Sequence, residues 1–364
     1  MIGLNKSILI ISPEPWKWQH VSKHHYAITL SKKGYGVYFL NPPQEELKNI
    51  IILKTEYKNL HQIEAPQAFK GLRFLPKILR VYITSKWLKN LEKVINSRID
   101  TIWLFESSRF YDMEFAKDRL KIYHQVDTNQ DFHIKEAASS ADICFCVTDY
   151  IKRDLLPYNK NIFKISHGIN LENKQGSLLK KQLENFNPNK LNIAYIGNLD
   201  AYDIDINILY TIIKENPNVL FHFIGTYSKE KNTYKTCEKF NNIIWWGRVE
   251  SDLIMPILAK VDITLLTYLV AEQSANSHKL LEYFYSGKVT VATYTDEYKD
   301  KRYLLEMVDS STEFIEKFKM VVQNIAIYNS DEKQKERIMF AKDNTYKKQL
   351  SKILHLLEEN NLKL

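Results

Sequence analysis

At 364 residues, 45% apolar and 26% charged, the chain is too long for one ordinary core and reads as two soluble domains of similar size. Ten Gly and ten Pro exclude a collagen-like or disordered chain. The net charge of +8 runs as Lys through helical segments rather than one arm, with no zinc-finger, helix-turn-helix or RNP-like signature, which argues against nucleic acid.

In chain order, the first half offers apolar runs at "SILIIS" (7–12), "GVYFLN" (36–41), "TIWLF" (101–105), "KIYHQV" (121–126), "ICFCVT" (143–148) and "IFKIS" (162–166). Helix-period segments separate them, as a parallel sheet covered on both faces requires. Between the first strands and "TIWLF", the stretch "LPKILRVYITSKWLKNLEKVINSR" (75–98) is basic and amphipathic, with Leu79, Ile83, Trp87 and Leu91 on one stripe. The reading preferred for it is a core-packed helix with solvated lysines; the sharper one is a helix lying on anionic lipid. Cys144 and Cys146 share one face of their strand and act as small hydrophobes, and three cysteines cannot form a disulfide framework.

The polar stretch 171–190 reads as the interdomain connection. Beyond it come "LNIAYIG" (191–197), "VLFHFIG" (219–225), "NIIWWG" (242–247), "ITLLTY" (263–268) and "VTVATY" (289–294), of which three end in Gly, at Gly197, Gly225 and Gly247. Glycine at the carboxyl end of a strand lets the backbone come close to a ligand. The chain ends in a Lys- and Glu-rich helical stretch. No run of about 18 apolar residues could span a membrane. The start "MIGLNKSILIISPEPWKW" lacks the apolar length and cleavage site of a signal peptide, so a cytoplasmic chain is expected.

The stretch "NSHKLLEYFYSGKVTVAT" (276–293) opens a short helix with Asn276, Ser277, His278 and Lys279 and sets Glu282 one turn on. Unsatisfied N–H groups at a helix start favour phosphate, a Lys adds full charge, and a carboxylate one turn deeper can accept from a vicinal diol. That order of groups suits a nucleoside diphosphate. On spacing alone, the better reading is Asn276 and Ser277 as plain caps and Lys279 with Glu282 as a solvated intrahelical pair.

The same stretch resembles the "P-x-K-x-x-E-Y-x-x-x-G-K-P-V-V" segment of GT-B glycosyltransferases of the glycosyltransferase 4-like group. "ADICFCVTDYIKRDLLPYNKNIFKISHGINLE", "IAYIGNL" and "NNIIWWGRVESDLIMPILAKVDITLLTY" match that group's segments in order, as does the N-terminal strand–helix–strand unit "ISPEPWKWQHVSKHHYAITLSKKGYGVYFLNPP". The family's Glu-x7-Glu is incomplete, since its first acid falls on Ser274, and the K-L-L-(E/Q)-Y pattern is closer to xanthan-type glucuronosyltransferases.

The resemblance implies an α/β chain of two Rossmann-like doubly wound domains facing a central cleft: 1–172 on the acceptor side, 188–340 binding a nucleotide sugar, and 341–364 returning toward the first domain. It implies a UDP- or GDP-linked donor held by Arg248, Tyr268, Asn276, Ser277, His278, Lys279 and Glu282. Lys279 would hold the diphosphate, Glu282 ribose or sugar hydroxyls, and Arg248 would sit by the nucleobase. The acceptor would be a saccharide or lipid-linked saccharide of a surface polysaccharide, at the inner face of a membrane. No cofactor, no metal and no nucleic acid are expected. The inverting branch uses an acidic base in the first domain, and Asp127, following a predicted strand in "IYHQVDTNQDF", is the candidate, with Asp131 and His133 as competitors. His24 and His25 in "SKHHYA" are weaker acceptor-side candidates, while Asp203 and Asp205 in "DID" read as capping residues rather than a metal motif. A nucleotide-sugar 2-epimerase on the same fold, or an inactive nucleotide- or glycan-binding protein, are the alternatives.

Overall fold

The computed structural model describes residues 6–18, 20–127, 133–172, 176–270 and 279–364. The chain divides into two units, Met1–Gly168 with Tyr346–Leu364, and Ile169–Thr345.

Unit 1 is built on an eight-stranded sheet: β1 (Ser7–Ile11), β2 (Gly36–Leu40), β3 (Ile51–Lys54), β4 (Leu60–Glu64), β5 (Thr101–Leu104), β6 (Leu120–Gln125), β7 (Ile143–Cys146) and β8 (Ile162–Lys164), in the order β3-β4-β2-β1-β5-β6-β7-β8. All pairings are parallel except β3 with β4. The apolar runs are continuous because both faces are covered. Leu9, Ile11, Ile102 and Leu104 pack with Trp87, Leu88 and Leu91 of the helix Lys77–Ile95. Ile8, Ile10, Trp103 and Phe145 pack on the other face with Tyr26 and Leu30 of the helix Ser22–Lys32 and with Leu350, Ile353 and Leu357 of the C-terminal helix Tyr346–Glu359. Each such side chain contributes about 1.5–3 kcal/mol on burial.

Unit 2 has six parallel strands, β9 (Asn192–Ile196), β10 (Leu220–Ile224), β11 (Ile243–Gly247), β12 (Ile263–Leu266), β13 (Val289–Thr293) and β14 (Glu306–Val308), in the order β11-β10-β9-β12-β13-β14. The helices Ile206–Glu215 and Ser311–Gln323 cover one face, and Lys279–Tyr285 with Asp331–Asp343 contribute to the other. The strand order reverses between β9 and β12, which makes the carboxyl ends of those strands the place where such a sheet receives a ligand.

Two expectations change. The stretch 171–190 belongs to unit 2, where Leu178 and Phe186 pack against the core and Phe186 stacks on His222 at 4.6 Å. Two apolar anchors among many polar residues leave no periodic signal. The supposed stripe of the helix Lys77–Ile95 is also broken: Trp87 and Leu91 are buried, but Leu79 is exposed.

Candidate functional site

At the carboxyl edge of unit 2 three neighbouring strands finish in glycine with positive φ, +154° at Gly197, +137° at Gly225 and +67° at Gly247. They are laced together: Gly197 N–H donates to the Ile224 carbonyl and Gly225 N–H to the Gly247 carbonyl, both at 2.8 Å. A Cβ on Gly225 would run into the Gly197 carbonyl, and a Cβ on Gly197 would run into Nζ of Lys279. Glycine is therefore demanded here by close approach as well as by φ. The group that comes close is an ammonium.

Lys279 starts the helix Lys279–Tyr285. Its Nζ donates to Tyr268 Oη at 2.8 Å and lies 5.6 Å from the centroid of the Tyr195 ring. No carboxylate among the described residues forms an ion pair with it. Tyr268 is fixed from behind, its N–H donating to Thr293 Oγ1 at 3.0 Å, while the flanking backbone is tied by Asp205 N–H to the Thr267 carbonyl and Leu269 N–H to the Asp203 carbonyl. Tyr195 is buried beside Tyr268, and burial holds its phenol protonated well above the usual range. Tyr283 Oη accepts from Ile196 N–H at 2.9 Å, pinning the helix to the end of β9. Glu282 is half-buried one turn beyond Lys279 on the same helical face. Arg248 is exposed directly after Gly247. A cation over a glycine edge, paired with no described carboxylate and with hydroxyls around it, has the chemistry to hold an anion.

Of the residues expected here, the structure gathers Lys279 and Tyr268. Asn276, Ser277, His278 and Ser274 lie outside the described residues. Sequence reasoning missed Tyr195; its only signal is a phenol placed two residues before the glycine that ends an otherwise apolar strand.

In unit 1, Asp127 is exposed two residues past β6, where Gln125 Nε2 donates to its carbonyl at 3.2 Å. Lys23, which sequence reasoning passed over, is almost wholly buried in an ion pair with Glu14. Burial lowers its pKa, opposed first by Glu14, then by the charges of Asp127 and Glu106. Its neighbour His24 is buried too: Nδ1 accepts from Val21 N–H at 3.2 Å and Nε2 lies 3.2 Å from the Pro15 carbonyl. With both nitrogens held by its own loop, and burial lowering its pKa to about 3, His24 braces the start of its helix. His25 is half-buried and stacks on Tyr346 at 4.5 Å. His133 packs against Tyr111 at 4.1 Å, and Asp131 lies outside the described residues. Asp205 caps the helix Ile206–Glu215 by accepting from Asn207 N–H and Ile208 N–H. Among the described residues no group of three or more His, Cys, Asp or Glu is placed to hold a metal ion.

Residues 190–324, which contain the glycine edge and Lys279, match the family model for glycosyl transferases group 1. That segment is similar to group 1 glycosyl transferases, and the chain as a whole has the GT-B fold. Solved structures agree on that fold over nearly the whole chain. A glycosyltransferase from Rickettsia africae ESF-5 is 14% identical, with TM-score 0.72, covering 98% of this chain and 99% of its own. A trehalose-6-phosphate structure from E. coli, bound with UDP-2-fluoro glucose, is 11% identical with TM-score 0.70, covering 96% and 99%. WaaG, a glycosyltransferase involved in lipopolysaccharide biosynthesis, is 13% identical with TM-score 0.67, covering 95% and 98%. A search of the curated proteins finds none that matches significantly. No helix of the described residues is long and apolar enough to cross a membrane.

Proposed function

We propose that the protein is a glycosyltransferase that takes a sugar from a UDP- or GDP-linked donor and places it on a saccharide or lipid-linked saccharide during surface polysaccharide synthesis. The observation that carries the reading is Lys279 Nζ against Gly197, a cation with no carboxylate paired to it among the described residues, at the carboxyl end of β9. In this reading Lys279 holds the diphosphate and Glu282 accepts from ribose or sugar hydroxyls. Tyr268 orients the ammonium, and Arg248 and the segment with Asn276, Ser277 and His278 complete the donor seat.

The reading is of an inverting transfer. The acceptor hydroxyl attacks the anomeric carbon, a new glycosidic C–O bond forms as the bond to the diphosphate oxygen breaks, and the hydroxyl proton passes to the carboxylate of Asp127. Charge developing on the leaving diphosphate is met by Lys279. His25 is kept as an acceptor-side contact. Supporting the reading are the group 1 match over residues 190–324 and the glycine edge. The direct test is a panel of UDP- and GDP-sugars screened for protection against thermal unfolding, with the best donor then followed for release of nucleoside diphosphate in the presence of candidate saccharides. Protection by none of them removes the reading. Conversion of the donor into an epimeric sugar nucleotide without any acceptor would reassign the chemistry.

A further inference from the structure

The basic character of this protein is localised. Residues 66–98 hold eight Lys and Arg and one acid, Glu92, so seven of the chain's eight net positive charges sit in one segment of unit 1. The single acid, Glu92, is half-buried and its charge is met by Arg119 at 2.8 Å.

On the helix Lys77–Ile95, the residues Ile78, Tyr82, Lys86, Lys89 and Lys93 recur at helical spacing along one outward stripe, and all five are exposed. Ile78 is 82% exposed and Tyr82 64%. Just before the helix, Phe74 is 77% exposed with the Arg73 guanidinium 4.7 Å from its ring centroid. Phe69 and Leu79 are exposed beside them. The outward face is thus apolar at its start and basic along its length; Glu114, paired with Lys77 at 2.9 Å, and Asp118, which shares a surface recess with Lys89 and Lys93, border it. Below it, a recess of about 280 Å³ is lined by Arg73, Phe74, Ser108 and Arg109. Arg109 is nearly buried and donates to the carbonyls of Asn41 and Pro66, and no carboxylate among the described residues pairs with it.

Large side chains standing out singly, ringed by cations, are costly in water and fit the headgroup layer of an acidic membrane, where apolar rings sink and Lys and Arg meet phosphate. A protein partner's groove would call for a recessed apolar surface; these side chains project. We propose that this face of unit 1 docks on an anionic lipid bilayer, Phe74, Ile78 and Tyr82 entering the headgroup layer while Arg73, Lys86, Lys89 and Lys93 rest on lipid phosphates. The docking does not depend on the transfer reading.

The test is co-sedimentation of the full chain with vesicles of phosphatidylglycerol and phosphatidylcholine in equal parts, and with phosphatidylcholine alone. The wild type binds the acidic vesicles and not the neutral ones, and raised salt weakens the binding. Phe74→Ser/Ile78→Ser/Tyr82→Ser and Lys86→Gln/Lys89→Gln/Lys93→Gln each cut the binding about tenfold or more. Ile327→Ser/Met339→Ser, which alters exposed apolar residues of unit 2, leaves it unchanged. Melting temperatures of all variants stay near the wild type, because the altered side chains are exposed. Nucleotide-sugar protection persists in the docking variants, so loss of docking and loss of the donor site are separate outcomes. Wild-type protein left in the supernatant with acidic vesicles overturns the proposal, as does binding that survives both triple substitutions.

Discussion

Both units carry a lysine near the carboxyl edge of a parallel sheet, and the two are opposite in character. Lys23 of unit 1 is buried, paired with Glu14 and surrounded by the fields of Asp127 and Glu106, so its charge is cancelled within the protein. Lys279 of unit 2 lies against a glycine edge with a phenol as its hydrogen-bond partner and no paired carboxylate among the described residues. A cancelled cation holds structure together; an uncancelled one holds an anion. In the proposed reading, phosphate belongs to unit 2 and the proton goes to Asp127 of unit 1.

The contrast can be broken from either side. The largest effect is expected for Asp127→Asn, which keeps the size and removes the base. Turnover should fall by about 10²–10⁴-fold, while donor titration by calorimetry matches the wild type. Equal turnover would move the base elsewhere. Gly197→Ala comes next, because its Cβ meets Nζ of Lys279 at a backbone φ that disfavours side chains. Donor affinity should drop about tenfold, with a backbone cost of about 1–3 kcal/mol seen as a lower melting temperature. Unchanged affinity would show that the ammonium is free to move aside.

Acid sharpens the comparison by stability. Burial holds His24 and His124 down to about 3 and His167 and His222 down to about 4, against an ordinary 6.5. Above that value neither the folded nor the unfolded state binds these protons. As pH falls below it, the unfolded chain takes them up while the fold refuses them, so stability drops between about pH 6.5 and pH 4. Three of these histidines are in unit 1, so calorimetric scans at pH 5 should show lower melting than at pH 7.5, with the signals of unit 1 lost first. The smallest effect is Tyr268→Phe, which leaves Lys279 in place without its 2.8 Å partner. Donor affinity should fall only a few-fold, about 1 kcal/mol or less.

All eleven strands expected from apolar runs are present, because strands buried on both faces cannot disguise themselves. β3, β4 and β14 carried no such signal: "IILK" is an edge strand with half its residues exposed, "LHQIE" has more polar residues than apolar ones, and "EMV" is three residues long. Lys279 and Tyr268 were legible through a family resemblance, not through spacing. Their union with Tyr195 and Gly197 was not, since those residues are 84 and 82 positions from Lys279 and only the sheet order brings them together. Lys23 was not legible, because a buried lysine looks like any other in sequence. The outward residues Ile78 and Tyr82 were not legible because the helix Lys77–Ile95 carries apolar side chains on its exposed face as well as its buried one.

The central claim is that Lys279 over the glycine edge seats the donor's diphosphate. Calorimetric titration of UDP, GDP and their unphosphorylated nucleosides into the wild type and Lys279→Ala tests it most directly. The account predicts that a diphosphate binds the wild type, that the matching nucleoside binds weakly to both proteins, and that Lys279→Ala loses about 10–100-fold in diphosphate affinity. Diphosphate affinity equal in the two proteins would contradict it.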